Sequence, residues 1–370
     1  MFSSQPATAK CEDPSVTFTG WAVVPNGKGI LQKWGYHPRP LAAEEVEILI
    51  THCGVCGSDI HFASEGWAAI ERPAIPGHEI VGTVVARGDR SAHRIGERVG
   101  VGCLVGACRK DLCEWCAEGK DQFCAQKTVT FNAPYLDGRG GISQGGLADR
   151  IRVYDDYAFK IPDIIPSAEA ASMFCAGITT YTPLKRYKAG PHSRVGVIGI
   201  GGLGHIALQF AKALGCKDII AISGRDNKKE EAFKLGATRF INSSDQEQVK
   251  AAARSMDICL CTNASKTNNW DEYLSMMAPL SQLVILALPE EPITLRGLQM
   301  VGQDISIVGS HLGSKSDIAE MLDFAAKHNI RPWVEKRPFE ECNEAFKDVH
   351  AGKPRYRIVL ETDAAKAALQ

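Results

Sequence analysis

A glycine-rich turn at residues 199–204 is the feature that most constrains the fold. The apolar run 195–198 leads directly into the sequence GIGGLG, and a segment of helical period follows. A strand, a GxGxxG turn and a helix in this order form a dinucleotide-binding unit, because the glycines permit a tight turn and close approach of a pyrophosphate to a helix N-terminus. The predicted cofactor-binding residues of the turn are Gly199, Gly201, Gly202, Leu203 and Gly204. A glycine-rich turn without a ligand is the alternative.

The end of the next predicted strand indicates which dinucleotide is bound. An NAD site places an acidic residue about 20 residues after the glycines. Here the run 219–222 ends in Ser223, with Arg225 and Lys228 shortly after it. A hydroxyl group and two cations suit a 2′-phosphate, because a guanidinium binds phosphate with two hydrogen bonds and no carboxylate repels it. We therefore expect NADP(H). Asp226 would serve NAD if the strand ended later, and the two cations would then be a solvated face.

The rest of the chain shows two different sequence patterns. Up to about residue 165, short alternating runs predict many short strands in a β-rich domain. After residue 167, apolar runs at 195–198, 219–222, 258–261, 283–287 and 305–308 alternate with helical segments. Strands that alternate with helices predict a parallel sheet. A length of 370 residues also exceeds what one core usually serves, so two domains are expected.

Composition excludes several classes of partner. The 42 Lys and Arg residues balance 43 Asp and Glu residues, so the formal charge of -1 gives no field that would hold nucleic acid or an anionic membrane. The longest apolar stretch, 195–208, is interrupted by glycines, and the first fifteen residues show no secretion signal. We expect a cytoplasmic protein with no membrane or nucleic-acid partner.

Thirteen cysteines are unusual for such a protein, and glutathione would keep them reduced in the cytosol. Four cysteines fall within seventeen residues of the lobe 103–124, where charged side chains are interleaved with them: Cys108, Cys113, Cys116 and Cys124. Four sulfurs satisfy tetrahedral zinc and leave no position for a substrate. This spacing predicts a structural zinc site.

A second set of metal-binding residue types is dispersed along the chain. Cys56, His78 and Cys175 would supply three protein ligands, the number that a catalytic zinc retains when its fourth position is open. Taken singly, each is more often a core cysteine or a core histidine with a satisfied hydrogen bond. Beside a dinucleotide fold they favour a catalytic zinc site, which gives two zinc ions per chain.

At this point the sequence resembles the zinc-dependent medium-chain alcohol dehydrogenases, over about residues 20–360. The matching motifs follow the family's order: GVCGSDIH at 54–61, PGHEIVGTV at 76–84, the four-cysteine lobe, ISQGGLADRIRV at 142–153, CAGITTYTPLKR at 175–186 and GIGGLGH at 199–205. The motif CAGITTYTPLKR, Ser223 and the closing RYRIVL look like the cinnamyl alcohol dehydrogenase branch, especially its fungal NADP(H)-dependent members.

The resemblance implies an α/β fold with two domains. A GroES-like β-rich catalytic domain would occupy residues 1–166 and 312–370, and a Rossmann domain with a doubly wound parallel sheet would occupy residues 167–311. Cofactor and zinc would lie in the cleft between them. The implied activity is hydride transfer with NADP(H) between primary alcohols and aldehydes, medium-chain or aromatic and cinnamaldehyde-like, in a homodimer.

Three other functions are weighed against this one. A polyol dehydrogenase would be expected to prefer NAD, against which Ser223 argues. A biosynthetic NADPH reductase of an activated C=C or iminium bond would need neither zinc nor a proton relay. A non-catalytic zinc module would be expected to carry an aromatic and basic stripe, which the sequence lacks.

The resemblance also implies roles for single residues. Cys56, His78 and Cys175 would bind the catalytic zinc, with Glu79 able to approach the metal and Asp59 holding the His78 imidazole. Ser58 would pass a proton from the zinc-bound oxygen, through the nicotinamide ribose, to His61. Thr179 and Ser310 are further expected cofactor-binding residues. His311 is a candidate substrate residue that departs from the family, because the plant enzymes commonly present a phenylalanine to an aromatic substrate at this position. Trp67 and Phe131 are candidates for an aromatic wall of the substrate site, with core packing as the alternative for both. The family usually separates its first two lobe cysteines by two residues and this chain by four, so Cys103 rivals Cys108 as the fourth ligand.

Overall fold

The structure is a computed structural model that describes residues 12–27, 29–109, 113–266, 268–289 and 291–367. The chain divides into two compact units. The first comprises Met1–Cys175, Gly313–Asp323 and Trp333–Gln370, and the second Ala176–Leu312 and Phe324–Pro332. The domain limits at residues 166 and 311 stay predictions. Among the described residues, no helix is long and apolar enough to cross a membrane.

The first unit is rich in short strands. Its strands are β1 (Phe18–Val23), β2 (Leu31–Tyr36), β3 (Glu45–Val55), β4 (Ile80–Arg87), β5 (Arg98–Val101), β6 (Leu104–Gly106), β7 (Thr128–Val129), β8 (Arg150–Tyr154) and β9 (Phe159–Lys160). Its helices in this part of the chain are α1 (Gly57–Ala63), α2 (Glu114–Ala117) and α3 (Ser167–Ser172).

The second unit alternates helices and strands. Its helices are α4 (Ile178–Arg186), α5 (Gly204–Ala213), α6 (Lys229–Leu235), α7 (Gln246–Ala251), α8 (Trp270–Met276) and α9 (Gly297–Gln303). Its strands are β10 (Arg194–Ile198), β11 (Asp218–Ser223), β12 (Arg239–Asn242), β13 (Met256–Cys261), β14 (Met277–Ile285) and β15 (Ser306–Gly309). The chain then forms α10 (Lys315–Lys327), β16 (Val334–Pro338), α11 (Cys342–His350), β17 (Arg357–Glu361) and α12 (Asp363–Ala367).

The main sheet of the first unit places the candidate functional residues near the carboxyl end of its strand β3. Its strand order is β16-β17-β3-β4-β5-β9, with β8 also paired to β3. The strand β3 is antiparallel to both β4 and β17, so its carboxyl end lies beside the start of each. Cys56 follows β3, His78 shortly precedes β4 and Arg357 begins β17. The antiparallel register therefore brings three distant parts of the sequence together.

Alternation of side chains explains why β3 is central. Val46, Ile48 and Ile50 are fully buried and belong to one apolar cluster, as successive even positions of a strand do when they share a face. On the opposite face Glu47 pairs with Arg152, whose Nε lies 2.9 Å from its carboxylate. The strand is thus covered on both faces.

The sheet of the second unit has six parallel strands in the order β12-β11-β10-β13-β14-β15. This is the order of the doubly wound dinucleotide-binding fold, in which the ligand binds beyond the carboxyl ends of the strands. The five apolar runs predicted as strands correspond to β10, β11, β13, β14 and β15.

Two details differ from the sequence pattern. The strand β12 (Arg239–Asn242) is short and carries polar residues, so no apolar run marks it. The strand β14 ends at Ile285, two residues before the apolar run does, and the N–H groups of Leu286 and Ala287 both turn toward the Cys261 carbonyl.

Candidate active site

A buried group of metal-binding side chains lies in the first unit. Cys56, His78, Glu79 and Cys175 each offer a ligand atom, and these four atoms lie within 4.8 Å of one another. The His78 Nε2 atom is 3.2 Å from the Cys175 sulfur, and the sulfurs of Cys56 and Cys175 are 3.9 Å apart. Two sulfurs and an imidazole nitrogen are a donor set that suits zinc, and a fourth position stays available in such a three-ligand site.

One carboxylate orients this group. Asp59, fully buried on α1, accepts hydrogen bonds from the Cys56 N–H at 2.9 Å and the Gly77 N–H at 3.0 Å. Its Oδ1 atom also lies 3.0 Å from the His78 Nδ1 atom. Because Nδ1 is engaged by Asp59, Nε2 of His78 faces the sulfurs. Asp59 thus fixes the ring orientation and ties together the two chain segments that carry ligands.

A local helical distortion presents Cys175. The residues Met173–Gly177 form a single π-helical turn between α3 and α4. Turns of this kind are rare and occur frequently at functional sites, because the extra residue redirects a side chain out of the regular helical path. The Cys175 thiol is 8 % exposed, so a metal ligand at this position is shielded from bulk water.

The three groups perturb one another's protonation. A hydrogen bond from the Cys175 thiol holds the pKa of Cys56 well below its usual range, and His78 acts in the same direction. Hydrogen bonds that link the Cys175 thiol to Cys103 and Cys56 raise the pKa of Cys175. Burial opposes a charge on His78, but the Asp59 carboxylate together with the Cys103 and Cys56 sulfurs outweighs it and raises the pKa of the imidazole. The arrangement stabilises a thiolate, the form that binds a metal.

Glu79 is paired with a residue that the sequence analysis did not assign. Its carboxylate forms a buried ion pair with Arg357 at the start of β17. Burial raises the pKa of Glu79 to about 7, although the Arg357 guanidinium acts in the opposite direction. The Glu79 Oε2 atom has no hydrogen-bond partner among the described residues. A Cβ atom at position 54 would lie 2.1 Å from this oxygen, so Gly54 is required beside it.

The second metal-binding group lies in the lobe around α2. The sulfurs of Cys108, Cys113, Cys116 and Cys124 lie within 4.8 Å of one another. A hydrogen bond from the Cys116 N–H lowers the pKa of Cys113 to about 7, whereas burial raises the pKa of Cys116. Four sulfurs at such distances form a closed tetrahedral donor set for zinc, with no position for a substrate.

Cys103, the rival for this lobe, is placed elsewhere. It does not belong to the four-sulfur group among the described residues. It lies between β5 and β6, and neighbouring Cys175 lowers the pKa of its thiol through a hydrogen bond. The strand β5 ends at Val101, so Cys103 lies outside it. The two additional residues of the Cys108–Cys113 spacing fall near residues 110–112, outside the described part of the chain.

The residues predicted for the proton relay and the substrate lie around α1. Ser58 and His61 are three positions apart on α1, so they share one face of the helix, and both are half-buried. The Trp67 ring stacks on the His61 ring with centroids 5.7 Å apart and an interplanar angle of 12°. Phe131 packs against the His78 ring at 5.9 Å. Trp67 is 50 % exposed, which excludes core packing as its role.

The glycine loop of the second unit has the three properties that dinucleotide binding requires. Gly199 has a φ of 90°, which permits the tight turn, and a Cβ atom at Gly204 would lie 2.0 Å from the Gly199 carbonyl oxygen. A Cβ atom at Gly201 would meet nothing within 4 Å, which leaves space for a pyrophosphate. Leu203 precedes α5 with no side-chain cap, and the His205 and Ile206 N–H groups donate to the carbonyls of Gly201 and Leu203. Gly202 belongs to the same loop.

The carboxyl end of β11 is formed as the sequence predicts. The strand ends at Ser223, and the exposed Arg225 and half-buried Lys228 follow. The Lys228 ammonium donates to the Ile200 carbonyl at 2.6 Å, which places it against the glycine loop. Asp226 instead accepts a hydrogen bond from the Asn242 amide at 3.1 Å.

The remaining predicted residues also lie in the second unit. Thr179 is on the first turn of α4, Ser310 follows β15, and the Ser310 hydroxyl is buried without a partner among the described residues. His311 is exposed. The sequence analysis missed Thr262, whose hydroxyl donates to the Gly199 carbonyl at 2.7 Å and so supports the loop. Its position directly after β13 is the signal that could have identified it.

Comparison with known proteins agrees with this geometry. Residues 42–163 match the family model of the alcohol dehydrogenase GroES-like domain, and residues 202–327 match that of the zinc-binding dehydrogenases. A probable cinnamyl alcohol dehydrogenase 6 of Arabidopsis thaliana is 36% identical over 96% of this chain and 97% of its own length.

Two solved structures extend the comparison to three dimensions. A cinnamyl alcohol dehydrogenase of Sorghum bicolor superimposes with a TM-score of 0.89 at 32% identity, covering 94% of this chain and 98% of its own. The enzyme CAD of Helicobacter pylori, solved in complex with NADP(H), gives a TM-score of 0.85 at 30% identity with the same coverage. The predicted fold class, a GroES-like β-rich domain with a Rossmann domain, is thereby confirmed. The chain belongs to the zinc-binding medium-chain alcohol dehydrogenase family, in its cinnamyl alcohol dehydrogenase branch, and is an oxidoreductase that interconverts alcohols and aldehydes.

Proposed function

We propose that this chain is an NADP(H)-dependent zinc alcohol dehydrogenase that interconverts primary alcohols with medium-chain or aromatic, cinnamaldehyde-like aldehydes. The proposed preference for NADP(H) rests on the residues at the carboxyl end of β11. A carboxylate at this position would bind the ribose hydroxyls of NAD and repel a 2′-phosphate, whereas Ser223 carries no charge. Lys228 and Arg225 supply positive charge nearby, and Asp226 is engaged by Asn242. The Helicobacter pylori structure with NADP(H) supports the same preference.

In this proposal the two metal-binding groups hold two zinc ions with different tasks. Cys56, His78 and Cys175 hold the catalytic zinc, and the four lobe cysteines hold the structural one. A catalytic zinc acts as a Lewis acid that polarises a carbonyl group and lowers the pKa of a bound hydroxyl group. The protein contributes burial, which strengthens charge interactions in the site, and the Asp59 carboxylate, which keeps Nε2 of His78 directed at the metal position.

The chain also supplies a route for the proton. Alcohol oxidation releases a proton from the hydroxyl group, and aldehyde reduction consumes one. Ser58 can accept and donate a proton through its hydroxyl, and the His61 imidazole can bind a proton at one ring nitrogen and release one from the other. Their spacing on one face of α1 allows the proton to pass from the substrate side to His61 through the cofactor ribose. The proposed direction in the cell is aldehyde reduction, because the cytosolic NADP pool is kept reduced.

The aromatic residues around α1 support the substrate class. Phe131 lies against the ring of the candidate ligand His78, and Trp67 lies against the ring of His61. Aromatic walls of this kind favour medium-sized apolar or aromatic substrates over polyols.

The cofactor proposal is tested by the variant Ser223→Asp. Steady-state rates are measured with a panel of aldehydes and alcohols, each with NADPH and NADH or their oxidised forms. We expect the wild type to favour NADPH, and Ser223→Asp to lower the ratio of kcat/KM for NADPH over NADH by at least about tenfold, since the new carboxylate repels the 2′-phosphate.

Ser193→Asp is the matched control. It adds the same charge just before β10, at the amino ends of the parallel strands, whereas Ser223 lies at a carboxyl end. An unchanged ratio in Ser223→Asp would contradict the cofactor assignment. The absence of turnover with every aldehyde would contradict the substrate class.

A homodimer is part of the proposal. The strand β15 is the last strand of the parallel sheet in the described residues, and an unpaired edge invites pairing with a second copy. Leu298 and Val301 on the preceding helix α9 are 84% and 77% exposed. We expect light scattering to give twice the chain mass, and the double variant Leu298→Glu, Val301→Glu to shift it toward the single mass. A monomeric wild type would contradict the proposal.

A further inference from the structure

We propose that Trp67 is a positioning residue for the proton relay, which holds the His61 imidazole in one orientation by stacking on it. The inference rests on the proposed function, in which His61 is the end of the relay. It concerns a different step from substrate contact, because the partner of the indole ring is a histidine of the relay.

The backbone after α1 is folded to make this contact. The Gly66 N–H donates to the His61 carbonyl at 2.8 Å, and the Ser64 hydroxyl donates to the same oxygen at 3.2 Å. Glu65 adopts a left-handed conformation with a φ of 59°, which turns the chain back toward the helix. A Cβ atom at Gly66 would approach the His61 Nδ1 atom to 3.3 Å, so a glycine gives the chain room to pass the ring. These features place Trp67 over His61.

The stack itself is well formed. The two rings are nearly parallel, at 12°, with centroids 5.7 Å apart, in the range of favourable aromatic pairs. Trp67 is 50% exposed, so half of the indole surface is covered by protein even though the residue lies at the surface. The indole lies nearly parallel to the imidazole, and turning the imidazole out of this plane about its Cβ–Cγ bond would break the contact. The stack therefore holds the plane of the imidazole ring in one direction.

A fixed orientation matters for proton transfer. The proton must arrive at one nitrogen and leave from the other, and both the N–H bond and the lone pair lie in the plane of the ring, so a ring tilted out of this plane no longer points them at their partners. An aromatic pair of this type accounts for about a 2- to 12-fold population difference between the stacked and the free ring. Loss of the indole should therefore slow the step that involves the relay by this factor.

The kinetic test compares Trp67→Leu with Trp67→Phe. The measurement is the single-turnover rate of cofactor reduction with ethanol and with cinnamyl alcohol. We expect Trp67→Leu to lose about 2- to 12-fold in this rate with both alcohols and to keep its KM for ethanol. Trp67→Phe retains an aromatic ring and should restore the rate to within about twofold of the wild type. A loss confined to the KM of cinnamyl alcohol would make Trp67 a substrate wall only and overturn the proposal.

Trp34→Leu is the matched control. Trp34 is half-buried in the first unit and stacks on Tyr36 with centroids 5.5 Å apart and an angle of 15°. Its removal deletes a comparable aromatic stack that contains no histidine. The control should reproduce any general loss of stability and leave the single-turnover rate unchanged. An equal loss of rate in Trp34→Leu would overturn the proposal.

A second readout does not depend on activity. The ring current of an indole shifts the resonances of protons close to it, so the Cε1 proton resonance of His61 should move in Trp67→Leu. The resonance is assigned in protein with labelled histidine by its disappearance in His61→Gln. An unmoved resonance would refute the stack. A wild-type rate in His61→Gln would instead refute the relay of the proposed function, which separates the two failures.

Discussion

The Asp59→Asn variant is the most direct test of how the catalytic site is held together. Asp59 is fully buried and accepts three contacts, from the N–H groups of Cys56 and Gly77 and from the His78 ring. An asparagine has nearly the same shape but only one acceptor oxygen. If that oxygen faces His78 and Gly77, the new NH2 group faces the Cys56 N–H, and two donors are left buried against each other.

The structure sets the size of the effect. A buried donor without an acceptor costs about 1–3 kcal/mol, so the free energy of unfolding should fall by this amount. The imidazole also loses the carboxylate that orients it and makes it a stronger ligand. Removing a partner of this kind typically weakens metal binding by about 10- to 100-fold. We therefore expect both a lower Tm and a weaker catalytic zinc site.

The assay is zinc retention during titration with a chelator, followed by metal analysis and by thermal unfolding. The four-cysteine site is an internal reference, because Asp59 contacts only the other group among the described residues. Glu65→Gln is the control, since it removes an exposed carboxylate just beyond the same helix. If Asp59→Asn released its zinc ions in parallel with the wild type, the assigned role of Asp59 would be refuted.

Two further outcomes follow from the distances. Cys108→Ser should lower the zinc content from about two to about one per chain, whereas Cys103→Ser should leave it unchanged, as metal analysis of the purified proteins would show. The reverse result would assign the lobe to Cys103. Gly204→Ala should lower the Tm and the affinity for NADPH, because its Cβ atom would lie 2.0 Å from the Gly199 carbonyl, at a cost of about 1–3 kcal/mol. Gly297→Ala has open space around it and should change neither quantity, and an equal loss in both variants would contradict this reasoning.

Local sequence patterns predicted much of the second unit. Apolar runs mark five of its six parallel strands, and the glycine spacing marks the turn after β10. These features can be deduced because neighbouring residues produce them: a buried parallel strand is continuously apolar, and a strand-to-helix turn needs glycine. The strand β12 has no such pattern. It is an edge strand of only four residues, and polar residues stand at both of its ends.

The first unit shows where local patterns stop. The resemblance to a known family nominated Asp59 and Glu79, but no sequence pattern connects Glu79 to Arg357, 278 positions later. Their pairing depends on the antiparallel register of β17, β3 and β4. The stack of Trp67 on His61 lies within seven residues, yet it depends on the left-handed backbone at Glu65, which the residue type alone does not specify.

The sequence by itself determined the chemistry that is present: a glycine turn, three dispersed ligands, four clustered cysteines and a strand that ends in Ser223. These are properties of residue type and short spacing. The tertiary structure alone decided between Cys108 and Cys103 for the four-sulfur group and showed which guanidinium pairs with Glu79. Such choices depend on strand register and burial, because a sulfur or a charge selects its partner by distance in space and by the water that the fold excludes.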